Sequence, residues 1–148
     1  MAQSGLVWIE PPEKLAKNIA AYGEKVLAAV HAVGVYVGQK MQDEARRNAA
    51  WHDRTGNARS GLFFLVDGLG LPPLVGTVTP EKQPDFDQNK KLQPAEGGDA
   101  AKLVICLGHT MGYGAYLELA HGQRYAIVMS TIQANLPVLK KMLDDLFK

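Results

Sequence analysis

Apolar residues in the first third of the chain recur at steps of three and four: Leu15, Ile19, Tyr22, Val26, Val30, Val33, Val37, Met41 and Ala45. That spacing lays them along one face of an α-helix. Pro11 and Pro12 suit its start, because a first-turn proline gives up an N–H that has no helical partner. Lys14, Lys17, Glu24, Lys25, Lys40, Asp43, Glu44, Arg46 and Arg47 fall mostly off the stripe. A helix over 12–50 would be about 58 Å long, more than a core of this size can cover. Part of it is therefore expected to lie outside the domain or to pack on another chain. Gly23, Gly34 and Gly38 interrupt it, each costing up to about 1 kcal/mol against alanine. Gly34 and Gly38, four apart, fit a bend, a tight contact with the sheet, or the close approach of another backbone. The last alternative makes them a candidate subunit interface.

The polar, turn-rich stretch 51–61 ends this helix, with Asp53 or Thr55 placed to cap a short helical turn through Arg59. An apolar run at 62–66 predicts a strand that stops at Asp67-Gly68, and 74–79 predicts a weaker one. Between 80 and 101, Pro80, Pro84, Pro94, Gly97 and Gly98 are mixed with five acidic and three basic residues. That segment is too polar to bury and reads as a long exposed loop, a class that is usually functional or disordered. The clearest strand is 102–107. A short helical pattern follows, with Tyr113, Tyr116, Leu117 and Ala120 on one face, and 124–129 reads as a short strand or extended piece. From Ser130 a second amphipathic helix is expected, with Ile132, Leu136, Leu139, Leu143 and Leu146 inward. Pro137 would kink it or delay its regular part to about Asn135. The expected architecture is α+β in a single domain, 1–148. A long N-terminal helix and a C-terminal helix pack on a small antiparallel sheet of three to five strands.

Composition narrows the function classes. The chain has 148 residues, of which 47% are hydrophobic and 21% charged, the mix of a globular protein and not of a disordered one. Sixteen basic against fifteen acidic residues leave a net charge of +1, which lacks the concentrated basic field of an obligate nucleic-acid binder. One cysteine, Cys106, excludes an internal disulfide. Residues 1–5 lack the basic and apolar regions of a signal peptide, and no apolar run reaches membrane-spanning length. The expectation is a protein made in the cytoplasm, without a membrane contact.

Candidate chemistry is sparse. His31, His52, His109 and His121 have no partners at metal-ligand spacing. Gly68-Leu69-Gly70 lacks the third glycine of a dinucleotide fingerprint. Cys106, inside the strongest strand, reads as an inert thiol. Glu118 with His109 or His121 is a conceivable acid–base pair, set against a carboxylate satisfied by a nearby arginine. Arg46, Arg47, Arg54 and Arg59 form either a solvated helix end or a positive patch that would face DNA. No metal, no cofactor and no catalysis are expected.

Two stretches carry a resemblance. The first is Trp51-x-Asp53-Arg54-Thr55-Gly56-Asn57-Ala58-Arg59-Ser60-Gly61-Leu62. The second is Gly108-His109-x-Met111-x-Tyr113-Gly114-x-Tyr116-Leu117-Glu118, followed by Gly122-x-Arg124-Tyr125-Ala126-Ile127. Together, and in this order, they resemble the small tail-completion or neck proteins of long-tailed double-stranded DNA phages and prophages. That pattern runs helix, Thr-Gly-x-x-Arg turn, β-region, Tyr-x-x-x-x-Glu segment and terminal helix. The chain departs from it in placing its proline at Pro137, not near Met129-Ser130. The resemblance implies a non-catalytic virion component at the head–tail junction, assembled as a ring, expected to be hexameric. Its implied partners are other copies of itself, the head-side connector or adaptor, and the tail tube or terminator. The alternative is a packaging or assembly protein that contacts DNA in the channel. Gly56 is expected to make a turn or close approach, and Arg59 or Arg124 to pair with Glu118. Tyr113, Tyr116 and Tyr125 would pack the sheet–helix junction with wet hydroxyls. In the long loop, Pro84, Phe86, Leu92 and Pro94 are further candidates for the subunit interface.

Overall fold

The structure, a computed structural model, describes residues 10–52, 57–76, 97–110 and 113–148. Its elements are α1 (Pro12–Asn48), α2 (Asn57–Ser60), β1 (Leu62–Gly68), β2 (Leu71–Val75), β3 (Leu103–His109), α3 (Gly114–Leu119) and α4 (Val128–Leu146). The α+β architecture is as the patterning predicts. Asp53, Arg54, Thr55 and Gly56 lie outside the described residues, as do Pro84, Phe86, Leu92 and Pro94 of the loop.

β1 is the middle strand of an antiparallel sheet of order β2-β1-β3. Its register with β3 runs without a break from Leu62 opposite His109 to Gly68 opposite Leu103. The side chains alternate as a strand requires: Leu62, Phe64 and Val66 join Leu103, Ile105 and Leu107 on the face that meets α1. Pairing with β2 slips between Val66 and Gly68. The weaker strand expected at 74–79 begins earlier, and β2 contains both Pro72 and Pro73. An edge strand tolerates prolines because one row of its backbone N–H groups faces away from the ladder.

α1 is continuous over 37 residues, about 56 Å. Its C-terminal half lies on the sheet through Val37, Met41 and Ala45, all within the buried core. Gly34 and Gly38 belong to this contact and not to a subunit interface, which corrects that candidate. A Cβ on Gly34 would come within 2.8 Å of a Leu103 methyl, and one on Gly38 within 2.5 Å of the Phe64 ring. The absent side chains are what let the sheet approach so closely.

α4 packs against α1, and two details of its prediction change. Residues 124–129 form no strand: Arg124 and Tyr125 make a turn, and the helix begins at Val128 and runs through Pro137. Its inward face is also rotated in part: Ile132 and Leu139 pack against the core as expected, but Leu136 does not. Thr131 and Asn135 are buried, while Leu136 is 54% exposed. A polar cluster explains the rotation. The Asn135 amide donates to Glu44 (2.7 Å) and to the Thr131 carbonyl (2.9 Å), and its oxygen accepts from Lys40 (2.9 Å). Lys40 and Glu44 are themselves paired. No helix among the described residues is long and apolar enough to cross a membrane.

Candidate functional site

The residues of the second motif converge where β3, α3 and the start of α4 meet. α4 opens at Ile127, an apolar residue with no side chain to cap the first-turn N–H groups. Glu118 supplies the cap from α3. Its carboxylate accepts from the N–H of Ile127 (3.1 and 3.2 Å) and of Val128 (3.3 and 3.2 Å). A negative charge is favoured at that end of a helix by the aligned peptide dipoles.

The remaining partner of Glu118 is His109, with Nε2 2.9 Å from Oε1. The His109 side chain is only 7% exposed, and it is enclosed by sequence features that otherwise look unrelated. The Trp51 ring lies 5.9 Å away, centroid to centroid. Gly114 lies against the imidazole so closely that a Cβ there would collide with it. Thr110 ties the same end of β3 to Gly61 through its N–H (2.9 Å) and its hydroxyl (3.1 Å). The first and second motifs are therefore joined by contact as well as by order.

This corrects the expected pairing of Glu118 with Arg59 or Arg124. Arg124 lies over the Tyr125 ring at 5.6 Å. Arg59, on α2, reaches the C-terminus of α1. It donates to the carbonyls of Arg46, Ala49 (2.9 Å) and Trp51 (3.0 Å). The C-cap residue of α1 is Ala49, and a cation is the favoured occupant of a helix C-terminus. Arg46 makes the reciprocal reach to the carbonyls of Ser60 (3.0 Å) and Leu62 (2.7 Å). Burial depresses the Arg46 pKa below the ordinary guanidinium value. The two arginines clasp the α1–α2–β1 corner.

The tyrosines divide. Tyr125 is partly buried against the core, whereas Tyr113 and Tyr116 are 38% and 59% exposed. The Tyr116 hydroxyl lies 2.7 Å from His121 Nε2, and His121 meets Tyr125 edge to face. His121, Gly122 and Gln123 all have positive φ, so this connection is one left-handed turn between α3 and α4.

Chemically, the arrangement holds elements together. Among the described residues no group of histidines, cysteines and carboxylates is placed to hold a metal ion. An apolar groove of about 210 Å³ between β3 and α4 is lined by residues such as Ile105, Ile132 and Leu136, with Asn135 its polar member. Sequence reading missed Asn135 because it sat beside an apolar stripe. The usable signal was the Lys40–Glu44 pair at i and i+4, which lies on the face that α4 covers.

Comparison with protein families, with curated proteins and with solved structures finds no match.

Proposed function

We propose that the chain is a non-catalytic structural subunit of the neck or tail of a long-tailed double-stranded DNA phage. In this reading it assembles as a ring, six-fold by the resemblance, that completes the tail and joins it to the head-side connector. The observation that carries the reading is that α1 outruns its own domain. Leu15, Ile19 and Tyr22 continue the core-facing stripe yet are 47%, 63% and 70% exposed. An isolated globular protein has little reason to hold such a stripe in water, whereas a subunit has a neighbour to cover it. The motif residues support the same reading, since Glu118, His109 and Arg59 fasten elements to one another. The order of helix, turn, β-region, Tyr/Glu segment and terminal helix is that of the resembled proteins.

The DNA-contacting alternative is weakened because Arg46 and Arg59, two of its four clustered arginines, are engaged with backbone carbonyls. The test is electron microscopy of particles assembled without this protein. Filled heads and finished tails accumulating separately would support the reading; intact virions would refute it. Binding to duplex DNA that weakens steeply with salt would favour the alternative instead.

A further inference from the structure

α1 lies over β1 and β3, and α4 lies beside α1, reaching the sheet chiefly at β3. Packed helices stand about 8–10 Å apart and paired strands about 4.8 Å. Two helices side by side therefore span about four strand positions. The sheet fills three, with β3 at its edge. The fourth position, beside β3 and beneath α4, is the apolar groove between Leu103 and Ile105 of β3 and Ile132, Leu136 and Leu139 of α4. Its polar member, Asn135, is already satisfied by Glu44, Lys40 and the Thr131 carbonyl. α3 closes the position at the His109 end, where Gly114 meets the imidazole.

The backbone beside this groove is open to a partner. The Thr110 N–H donates to Gly61 on β3's inner side, and the Phe64 carbonyl accepts from Gly76 on the β2 side. Antiparallel pairs alternate in this way, so the N–H and C=O groups of Leu103, Ile105 and Leu107 point away from β1. No backbone partner among the described residues meets them. The two edges of the sheet differ in their protection. β2 carries Pro72 and Pro73, which blunt an edge, whereas β3 opens as Leu103-Val104-Ile105-Cys106-Leu107, with neither proline nor charge.

An occupant of this position is extended, apolar and uncharged. Two long stretches of the chain lie outside the described residues, 1–9 and 77–96. In 77–96 the large apolar residues, Val78, Phe86 and Leu92, are isolated among prolines, charges and other polar residues. In 1–9, Leu6-Val7-Trp8-Ile9 is continuous, uncharged and rich in strand-favouring residues. It cannot reach the groove of its own chain. Leu6 stands six residues before Pro12, at most about 22 Å when fully extended. Gly34, the α1 residue that meets Leu103 and Ile105, is about 33 Å along the helix from Pro12.

Resting on the ring reading above, we infer that residues 6–9 of a second copy of this chain form the fourth strand, on the edge of β3 and under α4. Leu6 and Trp8 enter the groove, Val7 and Ile9 take the opposite face, and the backbone pairs with Leu103, Ile105 and Leu107. The free half of α1 is the arm that carries the segment to the neighbour. Segment and groove are unlike surfaces, so the contact repeats from copy to copy around an axis.

Light scattering on the full chain tests this with two variants. Leu6→Asp/Trp8→Asp breaks the segment, which cannot reach the core of its own chain. Leu136→Glu breaks the groove at a side chain already 54% exposed. The wild type is expected as one discrete oligomer, and each variant alone at the 16.1 kDa of a single chain. Their equimolar mixture keeps one intact contact, the groove of the first variant with the segment of the second. It is expected to yield heterodimers and nothing larger. A synthetic peptide of residues 1–10, added to the Leu6→Asp/Trp8→Asp monomer, is expected to slow amide exchange at Leu103 and Ile105, as an added strand does. Assembly that survives Leu6→Asp/Trp8→Asp overturns the docking and leaves the ring reading standing on another surface. A mixture that stays monomeric, amides that the peptide leaves unprotected, or a wild type at 16.1 kDa at every concentration overturns it as well. The neck function is judged separately by the microscopy of particles.

Discussion

Alanine at position 38 and alanine at position 23 of the same helix are expected to change stability in opposite directions. In an exposed helix interior, Gly→Ala gains up to about 1 kcal/mol, because alanine loses less backbone freedom on folding. Gly23 meets that condition, since its Cβ would have no neighbour within 4 Å. At Gly38 the same Cβ would stand 2.5 Å from Phe64 Cδ2 and 3.0 Å from Cγ. The ring is 1% exposed and cannot retreat, because a Cβ on Gly76, across the ring, would also lie 2.5 Å from its Cε1. Overpacking of this kind costs about 1–3 kcal/mol. After the propensity gain, Gly38→Ala should lose about 1–2 kcal/mol net. Gly34→Ala should fall between the two, since its closest neighbour, 2.8 Å away, is a terminal Leu103 methyl that can turn aside. Urea and thermal unfolding, at a dilution where the chain is monomeric, read all three. For a chain of this size each kcal/mol moves Tm by about 2–4 °C. A Gly38→Ala protein as stable as the wild type would refute the placement of α1 on the sheet. An unstable Gly23→Ala would refute the free half of the helix.

Three further outcomes follow from the polar contacts. Glu118→Ala removes the cap of α4 and strands His109, and should cost about 1–3 kcal/mol, with Glu118→Gln losing less; an unchanged Tm in both would sink the capping role. Asn135→Ala should cost about 1 kcal/mol by removing the hydrogen bonds of a buried amide to the half-buried Lys40 and Glu44, seen as a lower urea midpoint; no change would show that the cluster contributes nothing. Hydrogen bonds from Lys40 and Asn135, with the charges of Lys40 and Arg47, hold the Glu44 carboxyl below its ordinary pKa against the opposing effect of burial. The unfolded chain therefore binds this proton first, and stability should fall as pH drops below the ordinary carboxylate range, continuing through the folded-state pKa. Glu44→Gln should flatten that part of the pH–stability curve, and a curve of unchanged slope would remove Glu44 as its cause.

What was legible in the sequence was whatever repeats. The stripe from Leu15 to Ala45 has a period that only a helix satisfies, and Leu62 to Val66 is apolar enough to be buried on both faces, as a central strand is. Single contacts between distant elements were not legible. Arg124-Tyr125-Ala126-Ile127-Val128-Met129 is a short apolar run that reads as a strand, yet a carboxylate nine residues upstream of Ile127 caps a helix that starts there. Arg59 and Glu118 both looked in need of an opposite charge. Each found a helix terminus instead, where partial charges on backbone groups do the same work. No local pattern announces that choice, because it depends on which element ends nearby in space. The free half of α1 was legible for the opposite reason: it depends on length alone, and a helix of about 56 Å exceeds what this sheet can cover.

The Lys40–Glu44–Asn135 cluster links these levels. Apolar contacts between α1 and α4 are permissive of sliding, since ridges one turn apart fit similar grooves and a slip of one turn is about 5.4 Å. A buried amide that must donate to Glu44 and accept from Lys40 at once fits only one register, which is the best-attested use of buried polar groups between helices. That register decides where α4 ends on α1, at Tyr22 and Val26. It therefore decides how much of the stripe remains uncovered. One turn further toward the α1 N-terminus, α4 would cover Ile19 and remove it from the surface; one turn back, Val26 would be exposed as well. A polar cluster in the middle of the domain thus fixes the length of the helical surface left for a neighbour.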